Sequence, residues 1–345
     1  MDTVGILLRA GAEGTDVGSI ADEFDRVEVP AAMAYALALD PDQDTAGQPA
    51  ALPDGRLVVL AGPGVVGTRS IDGLRAFATA ANVPVANTWG AKGVLPWDSP
   101  HHIGTCGLQA RDFELLDFAS YDAIVATGTD LAESPEARFA LAPFVDIPPT
   151  ALGHLVDEAT PSSEPIPSNE LYTRLSAVAQ PGYADDRVPL HPARAVADVR
   201  AAFPAGGVIV GDPGIAGLWV ARTFPTTEPG TIVVPAIATP GIAAALALVA
   251  ALRGLPAIAV TTEPLDPATL GVLELATALG AALAIDVWGA SGPVRRAEDH
   301  LEHLNAAARE PGVTIVDVPV DVSLTRTLVD AAGPVVAWGG LPGSA

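Results

Sequence analysis

The chain has 345 residues, 49% of them hydrophobic, and carries 41 Asp and Glu against 18 Lys and Arg. The hydrophobic fraction excludes an intrinsically disordered protein. The formal charge of -23 makes nucleic acid and anionic membranes poor partners. The single cysteine, Cys106, excludes an intrachain disulfide and a cysteine-based metal cluster, and we expect it to be a small buried residue.

The first segment, residues 1–50, leads into DPDQDTAGQPAALPDG, residues 40–55, a polar run that is typical of a linker. It has an acidic second residue and too short an apolar run for a signal peptide, so we expect a cytoplasmic protein. The most apolar stretch, residues 234–252, is rich in Ala and interrupted by Pro-Gly. This composition favours a buried helix over a membrane span.

Residues 51–165 alternate strand-like and helix-like segments, which predicts βαβ units around a parallel sheet. Strands are predicted at RLVVLAG, VPVANT and YDAIVATGTD, and helices at SIDGLRAFATAAN and ARDFELLDFAS. The Pro- and Ser-rich stretch DEATPSSEPIPSNE then marks a second linker.

Residues 185–345 repeat the alternation with strands at GVIVGDPG, TIVVPA, LPAIAVTT, AALAIDVWG and GVTIVDVP. Helices are predicted between them, at HPARAVADVRAAF, GIAAALALVAALRG, DPATLGVLELATALG and RAEDHLEHLNAAARE. Most of the strand-like runs are continuously apolar, as expected when both faces of a sheet are covered. The sequence therefore predicts two α/β domains, each with a doubly wound, Rossmann-like parallel sheet.

The stretch LVVLAGPGVVGT places Gly62, Gly64 and Gly67 in a G-x-G-x-x-G pattern after a predicted strand. A dinucleotide site also needs a carboxylate at the end of the next strand, to hold the ribose hydroxyls. Asn87 stands there instead. The NAD interpretation is therefore weak, and the glycines are also explained as a strand-to-helix turn.

The run PVANTWGAKGVLPWDSPHHIGTCGLQ, followed by YDAIVATGTDL, resembles the central domain of thiamine-diphosphate (ThDP) enzymes of the acetolactate synthase and 2-oxo-acid decarboxylase family. VIVGDPGIAGLWVAR, with Asp212, Gly214 and Trp219, is similar to the opening of that family's pyrophosphate-binding domain. TPGIAAALALVAAL and LELATA are similar to its later motifs. The resemblance covers about residues 55–340.

The resemblance does not extend to the motifs that bind the cofactor. The family holds Mg²⁺ and the ThDP diphosphate with GDG and a later Asn, whereas this chain has TTEPLDPATL, with Glu263 and Asp266, and then AIDVWGASG. Prolines in the first of these segments remove backbone donors. We therefore interpret Asp212, Glu263 and Asp266 as a vestigial ThDP region, with a metal on Asp266 and Asp286 as the less favoured alternative.

The resemblance also implies an N-terminal pyrimidine-binding domain, and only about 50 residues, without a matching glutamate motif, precede the central domain in this sequence. ThDP catalysis by this chain alone is therefore not expected, and no catalytic residue is assigned. Two hypotheses remain: a degenerate scaffold subunit, or one subunit of a split enzyme. Either implies a homodimer or a hetero-complex with a ThDP-family chain. A Ser-His-Asp hydrolase is disfavoured because the G-x-S-x-G motif is absent.

Central domains of this family often bind FAD or ADP. The resemblance implies such a site at Gly62, Gly64, Gly67, Lys92, Gly128 and Asp130, and the alternative is an empty domain with strand-end turns. Lys92 is either a turn cation or a phosphate contact. His101 and His102 are assigned to a structural turn. His300 and His303 share one helix face, where acidic neighbours favour a solvated surface over a metal site.

Overall fold

The structure is a computed structural model that describes residues 52–166, 168–203, 207–228 and 231–341. It confirms the predicted fold class, because two five-stranded parallel sheets form the frame of the described residues. The expectations for residues 1–50 fall outside the described residues.

The first sheet has the strand order β3-β2-β1-β4-β5, and all of its neighbouring strands are parallel. Its strands are β1 Leu57–Ala61, β2 Val85–Thr88, β3 His102–Cys106, β4 Ala123–Thr127 and β5 Phe144–Asp146. The chain runs from β1 to β2 on one side and later returns to place β4 on the other side. The carboxyl ends of β1 and β4 therefore flank the topological switch point, where open α/β sheets bind ligands.

The second sheet has the order β10-β9-β8-β6-β7, again with all neighbouring strands parallel. Its strands are β6 Val208–Gly211, β7 Ile232–Val233, β8 Ala257–Thr262, β9 Leu283–Gly289 and β10 Val313–Pro319. By the same topology, its switch point lies between β6 and β8.

In chain order, the α-helices of the described residues are α1 Gly64–Gly67, α2 Ile71–Ala81, α3 Asp112–Leu115, α4 Glu136–Phe139, α5 Glu170–Tyr183, α6 Pro192–Ala202, α7 Ile215–Thr223, α8 Ile242–Leu252, α9 Pro267–Ala278, α10 Ala297–Ala307 and α11 Thr325–Ala332. The core of α8, Ala243 to Ala250, is entirely buried, as its Ala-rich composition predicted. No helix of the described residues has both the length and the apolarity needed to cross a bilayer.

Contacts divide the described chain into two compact units. The first unit contains residues 52–178, 226–228 and 326–341, and the second contains 179–225 and 231–325. Residues 326–341 thus pack with the first sheet, whereas the sequence assigned all of 185–345 to one domain. Gln109 binds residues 326–341 to the first unit, since its side-chain amide donates to the carbonyls of Leu328 and Gly333 at 2.8 and 2.7 Å.

Candidate functional site

At the switch point of the first sheet, the structure brings Gly62 and Gly64 against Gly128. The Gly62 N–H donates to the Thr127 carbonyl at 2.9 Å, and the Gly64 N–H donates to the Gly128 carbonyl at 2.8 Å. Gly67 lies in α1, where its N–H donates to the Pro63 carbonyl at 3.0 Å. These backbone N–H groups donate within the protein, so Gly62 and Gly64 connect the end of β1 to the end of β4. An FAD or ADP site at these residues stays a prediction.

Substitution of Gly62 by alanine should destabilise the first unit, because the new Cβ would lie 2.3 Å from the Gly128 carbonyl oxygen. Backbone atoms cannot move aside cheaply, so we expect the free energy of unfolding to fall by about 2 kcal/mol. Urea denaturation measures the change. Gly153→Ala is the matched control, because its Cβ would meet only Gly73 Cα at 3.7 Å. Equal stability of both variants and the wild type would contradict the close packing of the strand ends.

Asp130 is exposed, and its side chain accepts a hydrogen bond from the Ala132 N–H at 2.8 Å. Its backbone carbonyl accepts hydrogen bonds from the N–H groups of Glu133 and Ser134 at 3.1 and 2.9 Å. Asp130 therefore organises the turn after β4, and that turn directs Glu133 into the protein interior.

Glu133, which the sequence interpretation missed, is a buried carboxyl group at this edge. It is 3% exposed, and its Oε2 accepts a hydrogen bond from the Gly90 N–H at 3.3 Å. Burial, together with the nearby Asp130, raises the pKa of Glu133 to about 7, although the Thr88 hydroxyl and the Gly90 N–H act to lower it. A buried carboxyl group of raised pKa at a strand end is a functional-site candidate.

Lys92 is 8% exposed and lies after a short 3-10 helix, Trp89–Ala91. Burial and the positive charge of Lys92 lower the pKa of His102 to about 4. The His102 Nε2 lies 3.0 Å from the Oδ1 of Asn87, which is the residue that replaces a ribose-binding acid. Lys92, His102 and Asn87 thus form a polar group that the sequence had treated as separate features. Cys106 is buried, as predicted.

In the second unit, Asp212 and Asp266 meet at the switch point, where they approach the N-terminus of α8. Asp212 accepts a hydrogen bond from the Thr261 hydroxyl at 2.9 Å. Burial raises the pKa of Asp212 to about 6, with a contribution from the charge of Asp266, against hydrogen bonds from Thr261 and from the Ala243 N–H. The two carboxylates therefore occupy the end of the sheet next to a helix N-terminus.

Asp266 is the N-cap of α9. Its Oδ1 accepts hydrogen bonds from the N–H groups of Ala268 and Thr269 at 2.9 and 3.0 Å, and its Oδ2 accepts one from the Thr269 hydroxyl at 2.6 Å. Burial acts to raise the pKa of Asp266, but these bonds and one from the Gly241 N–H outweigh it, so the pKa is lowered. Both oxygens of this carboxylate thus have protein donors.

Glu263 lies on an open cleft of about 520 Å³, whose other lining residues are Pro264, Leu265, Val287 and Asp317. Its carboxylate accepts a hydrogen bond from the Ala290 N–H at 3.3 Å. A Cβ on Gly289 would lie 2.1 Å from Glu263 Oε2, so the side chain packs directly on the end of β9.

These residues do not fit a ThDP diphosphate with its metal ion. Phosphates bind at helix N-termini through free backbone N–H groups, whereas the protein's own carboxylates take hydrogen bonds from Gly241 and Ala243 at the start of α8. Mg²⁺ needs carboxylate or amide oxygens that are free to coordinate it. Within residues 52–341, gaps excepted, no three His, Cys, Asp or Glu side chains are grouped so that they could hold a metal.

The interpretation of His300 as a solvated residue is wrong. His300 is fully buried, with Nδ1 3.0 Å from Asp198 Oδ2 and Nε2 3.2 Å from Asp286 Oδ1. Burial acts to lower the pKa of His300, but the two carboxylates outweigh it and raise the pKa to about 9. His303, on the same helix, is exposed as expected.

Asp286, the alternative metal ligand of the sequence interpretation, belongs to this buried network. Its Oδ2 accepts a hydrogen bond from the Trp288 indole N–H at 2.9 Å. On the other side, Asp198 Oδ1 accepts a hydrogen bond from Arg194 Nε at 2.8 Å. Each carboxylate of the network thus has a positively charged partner or a neutral donor inside the fold, which explains how two acids are buried together.

Comparison with known proteins identifies the first unit. Residues 54–161 match the family model described as thiamine pyrophosphate enzyme, central domain. No curated protein matches the chain. One matching solved structure is that of a Mycobacterium smegmatis protein described as thiamin diphosphate-dependent, with a TM-score of 0.60 and 16% sequence identity.

That structural match covers 77% of this chain and 61% of the mycobacterial chain. The present chain therefore spans about three fifths of the length of the protein it matches. At this level of identity the match shows the fold alone, and the likeness to thiamine pyrophosphate enzymes at the sequence level rests on the central-domain model of residues 54–161.

Proposed function

Since residues 54–161 match the family model of the thiamine pyrophosphate enzyme central domain, we propose that the chain is a member of that enzyme family without autonomous ThDP catalysis. It acts as a binding or scaffold subunit that associates with itself or with a ThDP-family chain. The acetolactate synthase type, predicted from the motifs, is part of this proposal.

A single observation carries the proposal: Asp212 and Asp266 accept hydrogen bonds from backbone N–H groups at the start of α8. A diphosphate carries negative charge and would have to displace them from these donors. It would also lie beside two carboxylates in a chain whose formal charge is -23. Both effects oppose cofactor binding.

The alternative is a split enzyme, in which another chain supplies the pyrimidine domain. Glu263 and Asp266 then have to form part of a metal site in the complex. Asp266 would need to leave its N-cap position, at a cost of about 1 kcal/mol for the lost cap. The scaffold role needs no such rearrangement, and for that reason we propose it first.

Calorimetric titration of the chain with ThDP in the presence of Mg²⁺ tests the proposal, and we expect no binding heat at micromolar cofactor. Asp212→Asn is the matched variant, because it removes one negative charge from the α8 N-terminus and should raise the affinity for inorganic pyrophosphate. Micromolar binding of ThDP by the wild-type chain alone would contradict the scaffold role. Binding only after addition of a ThDP-family partner chain would establish the split enzyme instead.

A further inference from the structure

Four buried polar side-chain atoms of the described residues have no hydrogen-bond partner of good geometry, although one of them, the Thr88 hydroxyl, is close to Glu133. All four lie in the first unit: three at the end of β2 or β4 or one residue beyond it, and one in the turn that follows β4. They are Thr88 Oγ1, Trp89 Nε1, Thr127 Oγ1 and Ser134 Oγ. A buried donor or acceptor without a partner costs its full desolvation free energy. Four such atoms in one region would remove a large part of the stability of a domain.

Three of these atoms belong to segments that meet at Glu133. The Thr88 hydroxyl is near enough to lower the pKa of Glu133, and Ser134 is the next residue in the chain. A Cβ on Gly107 would lie 3.1 Å from the Trp89 ring and 3.2 Å from the Glu133 carbonyl oxygen. The ends of β2, β3 and β4 therefore meet in one polar region, where the absence of a side chain at Gly90 and Gly107 lets Glu133 and Trp89 approach the backbone closely.

A strap formed by residues 333–341 covers this region. It is held by the Val336 N–H, which donates to the Leu108 carbonyl at 2.9 Å, and by the Pro334 carbonyl, which accepts from Ala110. The Trp338 ring packs on Trp89 with 5.8 Å between ring centroids. Trp338 has a φ of 56°, a left-handed conformation that is unfavourable for a bulky residue and that persists only when the surroundings impose it.

We propose that the Trp89 indole N–H and the Thr88 and Ser134 hydroxyls form a binding site, beside Glu133 and beneath the strap, for a small uncharged hydrogen-bonding molecule. The indole can only donate, the hydroxyls can donate or accept, and Glu133 accepts when ionised. The occupant therefore accepts a hydrogen bond from the indole, and it can also donate to a hydroxyl oxygen or to the ionised Glu133. Water has this chemistry, and so does the hydroxyl group of a small ligand.

The charges of the region exclude an anionic occupant. Glu133 is buried in this region, and the negative charge of the exposed Asp130 acts on it. A phosphate or carboxylate ligand would be repelled by both, in a setting where burial strengthens the repulsion. The site is therefore distinct from the FAD or ADP phosphate site predicted at the glycines, and it stands whether or not the chain binds ThDP.

Indole NMR of the full chain labelled with ¹⁵N-tryptophan tests the proposal directly, because the chain has five tryptophans and thus five indole signals. The Trp89 N–H should show cross-relaxation with a bound water molecule, and Trp89→Phe assigns the signal. Trp219 and Trp288 are internal controls, since their indoles donate to Thr325 Oγ1 and Asp286 Oδ2 at 3.0 and 2.9 Å. Their signals should lack the water peak.

Titration with ethylene glycol distinguishes water from the hydroxyl group of a small ligand as the occupant of the site. A saturable shift of the Trp89 signal alone identifies a site that accepts a ligand hydroxyl, whereas an unchanged signal with a persistent water peak identifies water as the occupant. Trp338→Ala should accelerate solvent exchange of the Trp89 N–H roughly tenfold or more, by opening the strap. The controls Trp219 and Trp288 should not change.

Stability measurements supply an independent readout. If the Ser134 hydroxyl is bonded to an occupant, Ser134→Ala lowers the urea midpoint; if it has no partner, the same change leaves the midpoint equal or raises it. An absent water peak at Trp89 together with an unchanged or raised midpoint for Ser134→Ala would overturn the proposal.

Discussion

Replacement of His300 by glutamine should lower the free energy of unfolding at pH 6 by about 3–5 kcal/mol, the range for breaking a buried ion pair by removal of one partner. His300 is completely buried between Asp198 and Asp286, at 3.0 and 3.2 Å. Glutamine can keep part of the hydrogen bonding but carries no charge. Two buried carboxylates would then lack their shared cation.

The same network predicts how stability depends on pH. The pKa of His300 rises from 6.5 in the unfolded chain to about 9 in the folded protein, so the folded state binds the proton more tightly. The stabilisation is therefore complete below pH 6.5 and is lost as the pH rises through 9, a total of about 3 kcal/mol. His300→Gln should remove this dependence, and the two proteins should approach each other in stability above pH 9.

Urea denaturation at pH 6 and at pH 9.5, at one salt concentration, measures both effects. His303→Gln is the matched control, because His303 lies three residues further along α10 and is exposed. We expect the control to stay within about 0.5 kcal/mol of the wild type at both pH values. An equal, small loss in the two variants would show that His300 carries no stabilising charge.

The sequence predicted the sheets well because their strands are continuous apolar runs, and helices such as Ile71–Ala81 and Pro192–Ala202 differ from the predicted segments by at most one residue at an end. It missed β3, His102–Cys106, since HIGTC contains His and Gly and has no strand-like pattern. It also missed β5, Phe144–Asp146, which is three residues long and lies on the sheet edge. Such strands form because a neighbouring strand offers hydrogen bonds, and a local pattern does not carry that information.

Side chains whose surroundings come from distant parts of the chain were harder to predict. His300 lies in EDHLEHLN, where acidic neighbours suggest a solvated face, yet one of its partners, Asp198, is 102 residues away. Glu133 lies in LAESPEA, which looks like an exposed loop, and its burial depends on Gly90, 43 residues earlier. The glycines at the strand ends are visible in the sequence, but the carbonyl that each one meets is not.

The carboxyl edges of the two sheets have a common property. In the first unit the strand-end amides of Gly62 and Gly64 donate to backbone carbonyls. In the second unit the start of α8 faces the carboxylates of Asp212 and Asp266. At both switch points, the backbone donors named above are therefore used within the protein itself. This supports a scaffold role that depends on the fold and not on a bound diphosphate.

Replacement of Glu133 by glutamine should stabilise the protein at pH 8 by about 3 kcal/mol. The pKa of Glu133 rises from 4.5 in the unfolded chain to about 7 in the folded protein, mainly through burial. An acid with a raised pKa destabilises the folded state once the unfolded chain ionises. The penalty is therefore absent below pH 4.5, grows as the pH rises to 7, and is complete above 7. Glutamine keeps the shape and an acceptor for the Gly90 N–H but never ionises.

Urea denaturation at pH 4.5 and pH 8 measures this effect, and the gain should be confined to the higher pH. Glu136→Gln is the matched control, because Glu136 is exposed in the first turn of α4, where loss of its charge costs a few tenths of a kcal/mol. A gain for Glu133→Gln of the same size at both pH values would mean that the effect does not come from ionisation. A loss at pH 8 would mean that the ionised carboxylate is stabilised by its surroundings, and that the pKa of Glu133 is not raised in the folded protein.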